Sequence, residues 1–247
     1  MKSKALLGIL GGMGTAAGIQ FQKVFFETCH ANGIKGDQNY PEWVYFNASL
    51  APDRTDAILN IGPSPIDYLV QSLKRLKAAG ADHVVVICNT AHSFREPIFN
   101  EVPLTWIDLQ KETATAIKRA GYSRVALIST EGILKSGLFR KAIAPLETQY
   151  IEATPGSQTQ NKLTKSIYDS AIGIKNTGST VSADAVGLLQ EVVDEFDVDA
   201  IIAGCTELSL ARPLLKLNAV WIDPLEIAAQ ACLDYWRRNA NVEKPQI

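Results

Sequence analysis

The segment ADHVVVICNTAH, residues 81–92, returns as VDAIIAGCTELS at residues 198–209, and this echo decides the architecture. In both copies an apolar run leads to a cysteine followed by polar residues. The aspartate stands six positions ahead of the cysteine each time, Asp82 before Cys88 and Asp199 before Cys205. The echo continues downstream, where TWIDLQKETATAIKRA at 105–120 is matched by VWIDPLEIAAQACLDY at 220–235. Upstream, apolar runs ending at Leu10 and Ile128 each enter a glycine-bearing turn, Gly11-Gly12-Met13-Gly14 in one half and Ser129-Thr130-Glu131-Gly132 in the other. Cys88 to Cys205 is 117 positions, Trp106 to Trp221 is 115 and Leu10 to Ile128 is 118. Three landmarks at nearly one offset mark an internal duplication.

Between these landmarks the chain alternates. The runs at 5–10, 43–47, 83–88, 104–107, 124–129, 148–153, 199–204 and 220–222 are short and β-branched, as strands of a parallel sheet covered on both faces should be. Helical patterns separate them. Val186, Leu189, Val193 and Phe196 share one face of a predicted helix within 183–196. Asp223-Pro224-Leu225-Glu226 opens the last helix with Asp as N-cap and Pro at the first helical position. The fold class is α/β, with two pseudo-symmetric α/β lobes and mainly parallel central sheets.

Composition narrows the function. The 247 residues leave room for two domains of roughly 120. A net charge of -2 with 20% charged and 47% hydrophobic residues shows no bias toward polyanions or membrane surfaces, so neither nucleic acid nor membrane is an expected partner. Lys2 and Lys4 ahead of ALLGILGGMG resemble a signal peptide, but the glycines between Gly8 and Gly14 weaken a helical apolar region, and a cytoplasmic address is expected. Cys29, Cys88, Cys205 and Cys232 lie far apart and the only histidines are His30, His83 and His92, so neither a metal site nor a disulfide is expected. The turn GILGGMG departs from the GxGxxG spacing of dinucleotide sites, and Asn47-Ala48-Ser49 offers no ribose-binding acid.

Cys29 and Cys232 have no counterparts in the opposite half and read as small buried hydrophobes. Cys88 and Cys205 sit at the carboxyl ends of equivalent strands, the edge where open α/β sheets bind ligands. The polar residues after each, Asn89-Thr90 and Thr206-Glu207, suit a helix start, which is expected to lower the thiol pKa. Two facing thiols suit inversion of a stereocentre through a planar carbanion, one sulfur as base and the other as acid. Each sulfur then lies about 3–3.5 Å from the carbon, which puts the pair roughly 7 Å apart. That separation forbids a disulfide while substrate is bound. His92, one turn after Cys88, is not expected to be the base.

The combination of GGMG at 11–14, Pro52-Asp53-Arg54-Thr55, Cys88-Asn89-Thr90-Ala91-His92 and Gly204-Cys205-Thr206-Glu207-Leu208 resembles the aspartate/glutamate racemase superfamily, in particular the cofactor-independent aspartate racemases. The resemblance implies an active site in an interdomain cleft, Cys88 and Cys205 as the two acid/base thiols, no pyridoxal phosphate or other cofactor, and a homodimer. It also implies that the C-terminal helix returns to the first domain, so that residues 1–108 plus 223–247 carry Cys88 and residues 109–222 carry Cys205. Aspartate, interconverted between its L and D forms, is the expected substrate. Its two carboxylates call for a cation, and Arg54 is placed at the side-chain carboxylate, which a guanidinium grips bidentately. Asn89, Thr90 and Thr206 are expected at the α-carboxylate or as helix caps. Thr130 brings a hydroxyl from the second lobe, Lys175 lies where relatives often carry a carboxylate-binding lysine, and Gly12 and Met13 complete the site. Two alternatives remain: a superfamily member acting on glutamate or another acid, and a two-lobed amino-acid binding protein without catalysis, whose cleft needs no thiols.

Overall fold

A computed structural model describes residues 5–178 and 180–239. The outer parts of the expected first domain, residues 1–4 and 240–247, lie outside the described residues. Eight strands form where the apolar runs lie: β1 Leu7–Gly11, β2 Trp43–Asn47, β3 His83–Val86, β4 Thr105–Ile107, β5 Arg124–Ile128, β6 Gln149–Glu152, β7 Ala200–Ala203 and β8 Val220–Ile222. Two four-stranded sheets result, in the orders β2-β1-β3-β4 and β6-β5-β7-β8, and every pairing is parallel. The second sheet therefore repeats the first, strand for strand. Leu10 pairs with Val86 and Ile128 with Ala203 at the carboxyl edges.

Period-two alternation gives each sheet two cores. In β3, Val85 faces a core of Phe21, Phe25, Leu233 and Trp236, while Val84 and Val86 face Leu69, Leu73 and Ile98. In β5, Ala126 and Ile128 pack against Leu163, Leu189 and Val192, and Val125 and Leu127 against Ile117, Phe139 and Ile143. Burial on both faces is what the near-continuous apolar strands require.

The helices exchange between lobes. Helix Leu109–Ala120 follows β4, yet its Ala114 and Ile117 pack on the second sheet. Helix Pro224–Asn239 follows β8, yet its Leu225, Ala228, Ala229 and Leu233 pack on the first. Its start is capped as the sequence suggests, with Leu225 N donating to Asp223 Oδ1 at 2.8 Å. The helix over Val186, Leu189 and Val193 spans Ala183–Asp194 and ends two residues before Phe196. No helix among the described residues is long and apolar enough to cross a membrane.

In each sheet the chain runs from the second strand in space to the first and then to the third, so the loops after β1 and β3, and after β5 and β7, diverge. These are the switch points where open α/β sheets form crevices. The GGMG turn and Cys88 occupy one, and Thr130 and Cys205 the other.

Candidate active site

Tight turns place the thiols. Ile87 N continues the ladder to Leu10 O at 2.9 Å, and Gly204 N does the same to Ile128 O at 2.8 Å. The next residue in each loop is the cysteine, lifted off the strand end. Cys88 caps a 3₁₀ helix, Asn89–Phe94, and Cys205 precedes a turn whose helix begins only at Leu208. Both thiols are buried.

They line one cavity of about 10 Å³ with Met13, Arg54, Thr55, Asn89, Thr90, Thr130, Tyr168, Lys175, Thr206 and Glu207. Eleven of these twelve residues, all but Tyr168, were legible in sequence as site candidates or motif members. Gly12 is not in this wall; it lines an adjoining cavity of about 480 Å³ that shares Met13, Arg54, Lys175 and Glu207. Gly12 takes a φ of 88°, a left-handed backbone that favours glycine, so it shapes the turn.

Arg54 opens helix Arg54–Leu59, where Asp53 caps by accepting from Thr55 N at 2.7 Å and Asp56 N at 3.1 Å. The guanidinium turns inward. Its Nη2 donates to Met13 O at 2.6 Å and its Nη1 to Pro52 O at 3.1 Å, while the buried Nε has no partner. Burial works against the charge, but Cys88 and Asp53 beside it more than offset that and raise the pKa above the ordinary arginine value.

Lys175 comes from the second lobe, in helix Ile174–Thr177. Its Nζ donates to the same Met13 carbonyl at 3.1 Å and to Glu207 Oε1 at 2.9 Å, over the Tyr168 ring at 5.5 Å. Desolvation opposes the ammonium, and Glu207 and Cys205 outweigh it, so its pKa stands above that of a free lysine. Glu207 Oε2 in turn accepts from Cys205 Sγ at 2.9 Å and Thr206 Oγ1 at 3.2 Å. Burial works against the Glu207 charge, but Lys175 and the Cys205 thiol keep it ionised. Burial first, and the Glu207 charge second, push the Cys205 thiol well above its usual range. This corrects the expectation of a lowered thiol pKa at a helix start: the first turn after Cys205 is not helical, and the nearest charge is a carboxylate.

Polar contacts cross between the lobes at the cavity. Asn89 Nδ2 donates to Gly204 O at 3.0 Å, and its Oδ1 accepts from Gln110 Nε2 at 2.9 Å. Thr55 Oγ1 meets Tyr168 OH at 3.1 Å and Thr130 Oγ1 at 3.5 Å. His92 is elsewhere: its Nε2 reaches toward Val86 O at 3.4 Å and its ring meets Trp106 edge-on, and it lines a separate cavity of about 610 Å³ that holds neither thiol. Among the described residues no group of three or more His, Cys, Asp or Glu is placed to hold a metal.

Tyr168 lines the site and Gln110 holds its Asn89 from behind; neither carried a signal in sequence, because nothing local links them to the cysteines. Thr55 was visible only as the end of a motif. Glu207 was visible as a neighbour of Cys205, but its pairing with Lys175 required the fold.

Two thiols from duplicated loops, with an arginine, a lysine and several hydroxyls around them, suit proton transfer on a small anionic molecule. The chain is 25% identical over 235 residues to the broad specificity amino-acid racemase RacX of Bacillus subtilis (strain 168), covering 92% of this chain and 94% of that one. It is 24% identical over 199 residues to the glutamate racemase of Desulforudis audaxviator (strain MP104C), covering 74% and 68%. Among solved structures, the Picrophilus torridus aspartate racemase superposes with a TM-score of 0.77 at 25% identity, covering 94% of each chain. The profile of the Asp/Glu/Hydantoin racemase family matches residues 10–232, both cysteines included, and the chain belongs to that family.

Proposed function

We propose that the protein is a racemase interconverting L- and D-aspartate without pyridoxal phosphate, by a two-base mechanism in which Cys88 and Cys205 act on opposite faces of the α-carbon. The observation that carries this reading is one cavity lined by two thiols at duplicated positions, together with Arg54 and Lys175. One sulfur must start as thiolate and the other as thiol. Cys205 donates its hydrogen to Glu207, which leaves Cys88 as the starting base. The Cys88 thiolate takes the α-proton, the electron pair passes into the α-carboxylate as an enediolate, and the Cys205 thiol returns a proton to the other face. Cys88 is then the thiol and Cys205 the thiolate, ready for the reverse turn.

The enediolate gathers negative charge on the α-carboxylate oxygens, where prearranged donors lower the barrier most. Asn89, Thr90 and Thr206 are assigned there. Arg54, with its unpartnered Nε, is assigned to the side-chain carboxylate, with Thr130 and Lys175 beside it. About 10 Å³ is roughly the room of one water, so the lobes part to admit substrate and close on it. The substrate carboxylates then take over donors now spent on the Met13 carbonyl and on contacts between the lobes.

The lobes in this reading are residues 1–108 with 223–247, and residues 109–222, working in a cytoplasmic homodimer. A glutamate substrate is the second reading, favoured by the glutamate racemase relative. The test is a polarimetric or circular-dichroism assay over the L and D forms of aspartate, glutamate and neutral amino acids, with no cofactor added. The proposal expects aspartate to have the highest kcat/KM. A preference for glutamate overturns the substrate assignment, and binding with no racemisation of any of them overturns the enzyme.

A further inference from the structure

We propose that Gly14 and Gly132 are the two points on which the lobes close, and that together they position Cys88 and Cys205 across the cavity. They stand 118 positions apart, the same offset as Leu10 and Ile128, each in the segment that follows the first strand of its lobe. Neither backbone requires glycine. Gly14 caps helix Thr15–Ala31 with φ -104° and ψ 159°, an extended conformation open to any residue. Gly132 lies within helix Glu131–Ser136, where alanine is the better helix former.

What excludes a side chain at both positions is the opposite lobe. A Cβ on Gly14 would overlap the Glu207 carboxylate, and a Cβ on Gly132 would stand 2.7 Å from Thr55 Oγ1 and 2.9 Å from Thr55 Cα. The contacts are reciprocal: the first lobe's glycine receives a side chain of the second, and the second lobe's glycine receives a residue of the first. Thr55 and Glu207 both line the cavity between the thiols, so these contacts flank it. The Glu207 carboxylate has little freedom to yield, because Lys175, Cys205 and Thr206 hold it. At Gly132 the obstacle includes backbone. Packed interiors pass on such a displacement rather than absorb it, so a methyl group at either glycine holds the lobes apart.

The inference rests on the two-thiol reading for what closure achieves, while its test reads closure without turnover. The full-length protein and its Gly14→Ala, Gly132→Ala and Gly187→Ala variants are treated with iodoacetamide under native conditions, and each cysteine is followed by peptide mass spectrometry. A methyl at Gly187 meets nothing within 4 Å, which makes that variant the control. All four cysteines are buried, but Cys29 and Cys232 lie inside one lobe's core, on the packed faces of helices Thr15–Ala31 and Pro224–Asn239 respectively. Closure through the glycines predicts that Cys88 and Cys205 label about tenfold faster in Gly14→Ala and Gly132→Ala, as local opening does. Cys29 and Cys232 stay as slow as in the parent, and Gly187→Ala behaves as the parent. Adding Glu207→Asp to Gly14→Ala withdraws the carboxylate and returns labelling to that of Glu207→Asp alone. Unchanged labelling of Cys88 and Cys205 overturns the inference, and so does a rise at all four cysteines together, which would mean the glycines serve the fold of their own lobe. Absence of racemisation in the parent would fail the functional reading and leave this result standing.

Discussion

Glu207→Gln keeps the outline of the side chain and removes its charge, which isolates what the carboxylate does to Cys205. In the parent, Cys205 Sγ donates to Glu207 Oε2 at 2.9 Å, and burial together with that charge holds the thiol protonated. A hydrogen bond to a charged group contributes about 1.5–3 kcal/mol. At 1.36 kcal/mol per tenfold, the substitution raises the Cys205 thiolate fraction roughly ten- to hundredfold at a given pH below the midpoint. Lys175 loses its partner at 2.9 Å but keeps the Met13 carbonyl and the Tyr168 ring. Breaking a fully buried pair costs about 3–5 kcal/mol; with these contacts kept and 17% of the Lys175 side chain exposed, the expected loss is roughly 2–3 kcal/mol. The assay is the alkylation rate of Cys205 against pH, read on its own peptide, with a urea titration for stability. The Cys205 profile should move to lower pH and stability should fall. A profile that stays in place refutes the reasoning: burial alone would then hold the thiol, and Glu207 would have no part in its protonation.

Two buried groups give opposite pH signatures of stability. Burial raises Asp223 to about 6 from 3.8, so the folded state holds a proton that the unfolded chain releases, and stability falls by roughly 3 kcal/mol as pH rises from about 4 to about 6. Burial lowers His92 to about 4 from 6.5, so its contribution is present above 6.5 and lost as pH falls toward 4, by a similar amount. The two largely cancel in the parent. Asp223→Asn, which can still cap Leu225 N, should expose the His92 slope, with urea midpoints rising from pH 4.5 to 7 more steeply than in the parent; equal slopes in the two proteins would refute it. Asn89→Ala strands the Gln110 Nε2 donor and the Gly204 carbonyl, and should cost roughly 2–4 kcal/mol in urea titration and lower turnover. Parent stability in that variant would show the bridge to be idle.

Much of the architecture was legible because duplication makes each half a test of the other. The apolar runs that aligned at one offset became strands with equal places in two equal sheets, and a cysteine that alone reads as core gained meaning from its partner. Where the reading depended on short range it fared unevenly. Asp223-Pro224 capped its helix as expected, since a cap is settled by the residues that form it. Thr206-Glu207 leads into a helix as expected, with Glu207 at the N-cap of Leu208–Ala211, but its carboxylate caps nothing: it turns to Cys205 and Lys175, a choice decided by a lysine 32 positions upstream. Tyr168 and Gln110 were silent for the same reason, because their partners Thr55 and Asn89 come from distant segments brought together by packing. The sequence spacing also could not reveal that Met13 contributes its carbonyl oxygen, which takes both Arg54 and Lys175.

The most direct test of the two-thiol mechanism is deuterium incorporation during racemisation in D2O, run on the parent and on the Cys88→Ser and Cys205→Ser variants with L- and D-aspartate. The parent should form each enantiomer from the other with deuterium at the α-carbon, because the proton taken by one sulfur is replaced from solvent on the opposite face. Each single variant keeps its fold and loses racemisation, since one face of the carbon has lost its acid or base. Full racemisation by either single variant, or racemisation in the parent without α-deuteration, would contradict the account.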